Sequence, residues 1–299
     1  MKYYFKAFGL NIQSDFPFHG IKIPEKGFFD ISIVKGQNPL VLPNYTYKGI
    51  NFENNKTEFL LKIPNVASFL VQNGKKVIID VNPQAQLKEV ELFFLGSVMA
   101  IILTQRNVVP FHGSAFKKDD KCIIISGSSG AGKSSLLRYF ISQGYKALTD
   151  DVCALSTNPK NEIMLTPSYP SSKIWEDVMD KFELPKEDNK KIRPKINKYK
   201  YSFSEQFVET PLKVEAIYIL LNHNKPDFKI EAITGIEKFK YLRKNIYRHK
   251  FPIALNKEKE TFQILNLLAQ QSKLFFLTRS SDFDLLDQFN RYAKEQIIG

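Results

Sequence analysis

The chain has 299 residues but only two cysteines, Cys122 and Cys153, too few for a disulfide framework or a thiolate zinc site. That scarcity fits a reducing compartment, and a cytoplasmic protein is expected. Long hydrophobic runs are lacking too. The most apolar stretch, Leu92 to Leu103, is broken by Gly96 and Ser97 and is too short to span a bilayer. It reads instead as a buried core helix, and no membrane partner is expected. The opening residues, Met1-Lys2-Tyr3-Tyr4-Phe5-Lys6, are not followed by an apolar leader segment or a small-residue cleavage site, so no secretory signal is expected. Acidic residues are outnumbered, 31 against 43 Lys and Arg, for a formal net charge of +12. A solvated lysine-rich surface accounts for most of that excess, and attraction to a polyanion or an acidic peptide is the alternative. Helix-turn-helix cues, finger spacings and RNP-type aromatics are missing, so nucleic acid is not an expected partner. Internal repeats are missing as well.

What remains is an ordinary globular composition, 43% hydrophobic and 25% charged, with length enough for one large domain or two modest ones. Residues 1–85 are short apolar runs punctuated by Pro, Gly and Asn, which predicts antiparallel β structure, with a hairpin at Asn73-Gly74. Gln86 to Gln105 predicts one helix. After Pro110 the pattern changes. A β-branched run, Cys122 to Ile125, enters a Gly/Ser loop. An amphipathic helix follows from about Lys133 to Gln143, stopped by Gly144. A second strand, Tyr145 to Thr149, ends in Asp150-Asp151. Ala115 to Lys117 and Cys122 to Ser126 suggest a hairpin around Lys118-Asp119-Asp120-Lys121. Strands are expected at 214–221, 228–233 and 274–278, and helices at 237–247, 257–271 and 282–297. The polar, lysine-rich stretch Pro185 to Lys200 reads as a surface loop. The expected division is a β-rich region 1–105 ending in a helix, then an α/β domain 106–299.

The chemistry concentrates in Gly127-Ser128-Ser129-Gly130-Ala131-Gly132-Lys133-Ser134, which fits G-x-x-x-x-G-K-[ST] at every position. Glycines let the backbone curl so that several N–H groups face phosphate oxygens, and the helix that follows aims its positive end at the same anion. Lys133 is placed to reach the β- and γ-phosphates, the Ser134 hydroxyl to ligate Mg²⁺, and Ser135 to extend the nucleotide contact. ATP and Mg²⁺ are therefore the expected cofactors. Asp150 and Asp151 follow after one helix and one strand, so a right-handed crossover brings them beside the loop. One carboxylate suits the metal and the other suits proton removal from an attacking hydroxyl. The expectation is Asp150 as base and Asp151, with Ser134, on the metal. His112-Gly113 precedes the loop strand, and a lone histidine there is most simply a hydrogen-bonded structural residue.

The run from His112 to Leu155 resembles the catalytic core of the HPr kinase/phosphorylase family. The resemblance rests on His112-Gly113, strand Cys122 to Ser126, loop Gly127 to Ser134, Gly144, and Thr149-Asp150-Asp151-Val152. It implies a fold related to ATP-dependent phosphoenolpyruvate carboxykinase and a His112 close to the aspartates, tuning the base. Pro211 to Tyr218 stands where kinases acting on HPr carry a second glycine-rich signature, and Ser135 stands where glutamate often follows the loop serine. The whole chain is similar to HPr-kinase-related proteins found beside lasso-peptide biosynthesis genes. That likeness rests on residues 1–85, Gln86 to Gln105, Pro110 to Ala115, and Lys190 to Lys200. It implies an ATP- and Mg²⁺-dependent kinase acting on a serine hydroxyl of a peptide or small protein, such as the C-terminal serine of a lasso precursor. Arg193, Lys195 or Lys200 are then expected to neutralise the transferring phosphate or the acceptor's carboxylate. A nucleotide-binding regulatory module with little transfer activity and a small-molecule kinase are the alternatives, and a homo-oligomer stays open.

Overall fold

The computed structural model describes residues 1–25, 27–175, 191–193 and 196–299, with backbone alone for 173–175, 191–193 and 196–198. It is a mixed α/β structure with two large sheets. The first is made of β1 (Tyr3–Ala7), β2 (Leu10–Ser14), β3 (Ile21–Lys22), β4 (Ile31–Lys35), β5 (Tyr47–Gly49), β6 (Phe52–Asn54), β7 (Glu58–Ile63), β8 (Ala67–Gln72) and β9 (Lys76–Val81). Their order is β3-β1-β2-β4-β9-β8-β7-β6-β5. Alternation sends Phe5 and Ala7, Ile12 and Ser14, and Ile31 and Ile33 to the buried face. Asn73 and Gly74 turn the β8–β9 hairpin, with φ of 52° and 62°. The sheet is not wholly antiparallel, as the sequence suggested. β4 runs parallel to both β2 and β9. The β5–β8 meander lies between β4 and β9 in the chain and is long enough to carry it back for a parallel pairing.

The expected single helix has three parts: α1 (Leu87–Phe93), a π-helical turn (Phe94–Val98) and α2 (Met99–Gln105). The π turn holds Gly96, where a Cβ would come 3.0 Å from the Tyr247 hydroxyl. Phe94, Val98, Met99, Ile101 and Ile102 are fully buried and share one core with the first sheet. Val152, Ala154, Tyr169, Phe251 and Ala254 enter the same core from beyond residue 105. Among the described residues no helix is long and apolar enough to cross a membrane.

The second sheet begins with β10 (Val109–Lys118) and β11 (Lys121–Gly127), the expected hairpin, with Lys118 opposite Lys121. Helix α3 (Lys133–Ser142) leads to β12 (Ala147–Thr149), β13 (Val152–Thr157) and β14 (Ile163–Thr166). A small separate sheet follows: β15 (Ser171–Trp175), β16 (Lys191–Arg193) and β17 (Ile196–Ser202), in the order β15-β17-β16. The end of the segment expected as a lysine-rich loop is therefore strand, because β17 finds partners on both sides. β18 (Leu212–His223), β19 (Lys229–Ala232) and β20 (Lys273–Ser280) complete the second sheet. Helices α4 (Ile236–Lys244), α6 (Glu258–Gln271) and α7 (Leu286–Ile298) pack against it, while the short α5 (Lys250–Ala254) packs into the first core. β13, β14 and α5 carry no separate signal in the sequence pattern.

β11 runs antiparallel to β10 and parallel to β18, which itself runs parallel to β20. Since β18 also meets β14, the strands β11, β10, β13, β14 and β18 close a ring. β11 is buried on both faces. Ile123 and Ile125 pack with Leu136, Phe140 and Phe289 of α3 and α7. Cys122 and Ile124 pack with Leu242, Leu265 and Leu268 of α4 and α6. A strand covered on both sides reads as a continuous apolar run, which Cys122 to Ile125 does. The loop that leaves β11 is thereby held on a rigid base.

Candidate functional site

β11 ends at Gly127, whose φ is 133°. Its backbone passes so close to β18 that a Cβ would lie 2.7 Å from the Leu220 carbonyl oxygen. Only glycine fits there. Gly132, at φ 108°, is the residue before α3. The turn lets α3 begin at Lys133, so its free N-terminal amides open into the loop. Ser128, Ser129 and Gly130 are exposed, Ala131 and Ser135 are buried, and Gly132 and Ser134 are half-buried. Lys133 is only 7% exposed, and its Nζ donates to the carbonyls of Gly127 (2.9 Å) and Ser128 (2.8 Å). The loop thus holds a buried ammonium at its centre.

The aspartates directly follow the end of β12 at Thr149, as expected, and precede β13, which begins at Val152. β12 and β13 both run antiparallel along the same edge of β10, with Thr149 opposite Ala115 and Val152 opposite His112. Asp150 and Asp151 are the break between these two pairings, and Asp151 takes a φ of 90°. β11 and β12 run in the same direction, with β10 lying between them. That insertion explains the convergence. The stretch His112-Gly113-Ser114 on β10 has the aspartates on one side and Ser126, leading into the loop, on the other.

The two carboxylates are handled differently. Asp150 is 4% exposed, and its Oδ1 accepts hydrogen bonds from the Ser114 hydroxyl and from the Ser134 hydroxyl at 2.9 Å. The Asp151 side chain keeps 29% exposure, and its Oδ1 lies 3.5 Å from His112 Nδ1. That ring nitrogen is 3.0 Å from the Asp151 carbonyl oxygen. A carbonyl cannot donate, so Nδ1 carries the proton and donates, and Nε2 is the acceptor of the neutral ring. Burial, then the Lys133 ammonium, push the His112 imidazole below its ordinary value, against the pull of the Asp151 and Asp150 carboxylates.

A cleft of roughly 1050 Å³ opens over the glycine loop, His112 and Asp151. Gly127 to Ala131, His112 and Asp151 line it, together with Leu220 to Asn222 and a wall from Lys244 to Arg248. The wall is tied to β10: His112 N–H donates to the Asn245 carbonyl at 2.8 Å, and Tyr247 N–H to the Pro110 carbonyl at 2.9 Å. Among the described residues no trio of His, Cys, Asp or Glu could hold a metal by itself. Mg²⁺ needs no such cage, since it keeps waters and takes phosphate oxygens, and a hydroxyl beside a carboxylate is the donor set it uses. Ser134 with Asp150 fits that requirement, and the Lys133 ammonium with the α3 amides fits a polyphosphate.

Of the basic residues expected at the site, Lys200 is placed elsewhere. It donates to Glu91 on α1 at 3.4 Å and is not among the residues lining the cleft. Lys195 and the side chain of Arg193 lie outside the described residues. Three residues escaped the sequence reading. Ser114 sits two positions past His112, on the strand that carries both. Arg279, near the end of β20, donates from Nε to the Ala131 carbonyl at 3.0 Å and braces the loop, while burial lowers its pKa. Lys244 borders the cleft from α4. Arg279 had one available signal: ligands collect at the carboxyl ends of parallel strands, where β20 finishes beside β18 and β11.

No family model and no curated protein matches the chain. Among solved structures it is similar to the Hpr(Ser) kinase/phosphatase from Coxiella burnetii, at 13% identity, over 64% of this chain and 99% of that one, with a TM-score of 0.29. A superposition that loose leaves the function to be argued from the site's own geometry.

Proposed function

We propose that the chain transfers a phosphoryl group from Mg-ATP to a hydroxyl, in the reading we favour a serine hydroxyl of a peptide or small protein. The observation that supports this most is the convergence of a buried Lys133 in a glycine loop, a Ser134–Asp150 pair, and a second, more accessible carboxylate on Asp151. Phosphoryl transfer needs little covalent chemistry from a protein beyond those three things. Mg²⁺, when bound, offsets phosphate charge at Ser134 and Asp150. Lys133 gives its ammonium to the phosphates, and Arg279 keeps the loop in shape through the Ala131 carbonyl.

The division of labour we propose exchanges the one expected from sequence. Asp150 Oδ1 accepts from Ser134, the last residue of the loop motif, and from Ser114 on β10, so Asp150 is the metal-side group. Asp151 faces the cleft and accepts the proton of the acceptor hydroxyl. The new O–P bond forms as the bond to the ADP oxygen breaks. His112 is a positioning residue, its Nδ1–H directed at the Asp151 backbone beside the carboxylate. The cleft, at about 1050 Å³, is at the upper end of the range for small-molecule pockets, a size that suits a nucleotide with its acceptor group.

The test is a pair of variants read by two assays, Mg-ATP-induced melting shift and phosphate transfer to serine peptides. Asp151→Asn should keep the shift and lose roughly 10²- to 10⁴-fold in transfer. Lys133→Ala should lose most of a shift that, at a hundredfold excess of ligand, is about 2.7 kcal/mol in the wild type. Absence of any shift in the wild type would overturn the nucleotide reading. Full transfer by Asp151→Asn, with loss in Asp150→Asn, would restore the first assignment.

A further inference from the structure

A second cavity, of about 650 Å³, opens between α4, α5 and α6. Phe239, Ile253, Phe262 and Leu265 make its apolar surface. Phe262 is 55% and Ile253 43% exposed, so large side chains are left in water. The Phe239 and Phe262 rings lie 5.0 Å apart and form one wall. Around this apolar patch the charge is mostly positive: Lys240, Arg243 and Lys244 border it, against a single acidic residue, Glu258. Lys240 is paired with Glu237. Among the described residues, Arg243 and Lys244 are exposed and make no ion pair.

The decisive feature is continuity. Lys244 and Ile246 line this groove and also the cleft that holds the glycine loop and Asp151. The chain between them is fixed, since the Asn245 carbonyl holds the His112 amide and Ile246 bridges to Phe111. A polymer lying in the groove therefore leads past Lys244 to the mouth of the site.

We infer that this groove docks the acceptor, and that the acceptor is a peptide segment with an apolar anchor side chain flanked by carboxylates. The inference rests on the phosphotransfer reading and deepens it. The anchor fills the space against Ile253, Phe262 and Leu265. The carboxylates meet Arg243, whose planar fork suits them, and Lys244. The hydroxyl to be modified then reaches Asp151. A chain of net charge +12 attracts such a peptide over distance, and the groove supplies the specific contact.

The experiment uses the full chain, immobilised without nucleotide, and a degenerate pool of short peptides with one fixed serine. Sequencing the retained fraction should show enrichment in Leu, Ile or Phe beside Asp or Glu. Arg243→Glu and Ile253→Asp, both at exposed positions, should each weaken binding of the enriched peptides about tenfold or more. Both variants should keep the wild-type melting shift with Mg-ATP, which shows that fold and loop are intact. No residue preference in the pool, or equal retention by both variants, overturns the proposal. So does a wild-type dimer that Ile253→Asp dissociates, since the groove would then belong to a second copy of the chain. The outcomes separate the two readings. Enriched peptides that bind through the groove but receive no phosphate sink the phosphotransfer reading and leave the groove. Serine peptides phosphorylated at equal rates whatever their neighbours do the reverse.

Discussion

Gly127 and Gly130 stand three residues apart in the same loop and both have positive φ, 133° and 84°, yet their surroundings differ. A methyl group on Gly127 would meet the Leu220 backbone, whereas nothing lies within 4 Å of the same position on Gly130. Gly130→Ala should therefore cost only the left-handed strain, about 1–2 kcal/mol. Gly127→Ala adds overpacking against a central strand, a further 1–3 kcal/mol or so. Denaturant midpoints at equal slope would show the ranking, and an equal cost at both positions would mean that β18 yields to the methyl. At this scale the sequence was most legible in the placement of the glycine loop, whose fixed glycines run from the end of β11 to the start of α3 as their spacing predicts. It was least legible at Ser114. A serine inside a buried strand looks like any small core residue until the strand alignment puts it against Asp150. The split between Asp150 and Asp151 was likewise invisible, since it shows only in their different burial and partners and in the Asp151 φ of 90°.

Elements were legible where their periodicity was local. The α3 and α6 patterns, the hairpin at Asn73-Gly74 and the strand at β18 all follow from short windows. The β12–β13 break did not, because β10 supplies the partner for both halves. Nor did the joint between the first helix and its surroundings. Glu91 on α1 accepts from the backbone amide and ring of His19 and from Lys200 on β17, and so ties together three segments distant in sequence. Burial alone would raise its carboxyl, but the His19 hydrogen bonds and the Lys200 ammonium outweigh it and hold the group below the ordinary 4.5. A depressed carboxylate stabilises the fold fully above its unfolded value and loses that contribution as pH falls through the folded one. Glu91→Gln should therefore flatten the acid limb of the stability profile below pH 4.5. At neutral pH it should cost about 1–3 kcal/mol through the donors left on His19 and Lys200. A variant with the wild-type acid limb would show that Glu91 is not held low.

The arrangement of the whole molecule depends on contacts that no local pattern announces. The first core draws mainly on residues before 105, but Phe251, from the short α5, closes it. Its ring lies 5.0 Å from Phe59 and 5.5 Å from Phe52 in edge-on contacts, and it is 5% exposed. Three residues on, the Ala254 carbonyl accepts from Asn54 Nδ2 at 2.6 Å, a buried bond that spans two hundred positions of sequence. α5 thus does two things. Its inner face seals the first sheet, while Ile253, on its outer face, borders the groove next to the site. Phe251→Ala should cost about 3–5 kcal/mol, the range for removing a large buried ring from a core. Because the first core also holds Val152 and Ala154 of the site's own strand, the loss should not stay local. Hydrogen exchange in β6–β8 and in β11 should accelerate together, and the Mg-ATP melting transition should fall as a single step. Faster exchange confined to β6–β8, with β11 protected as before, would mean that the first sheet opens without disturbing the strand that carries the loop.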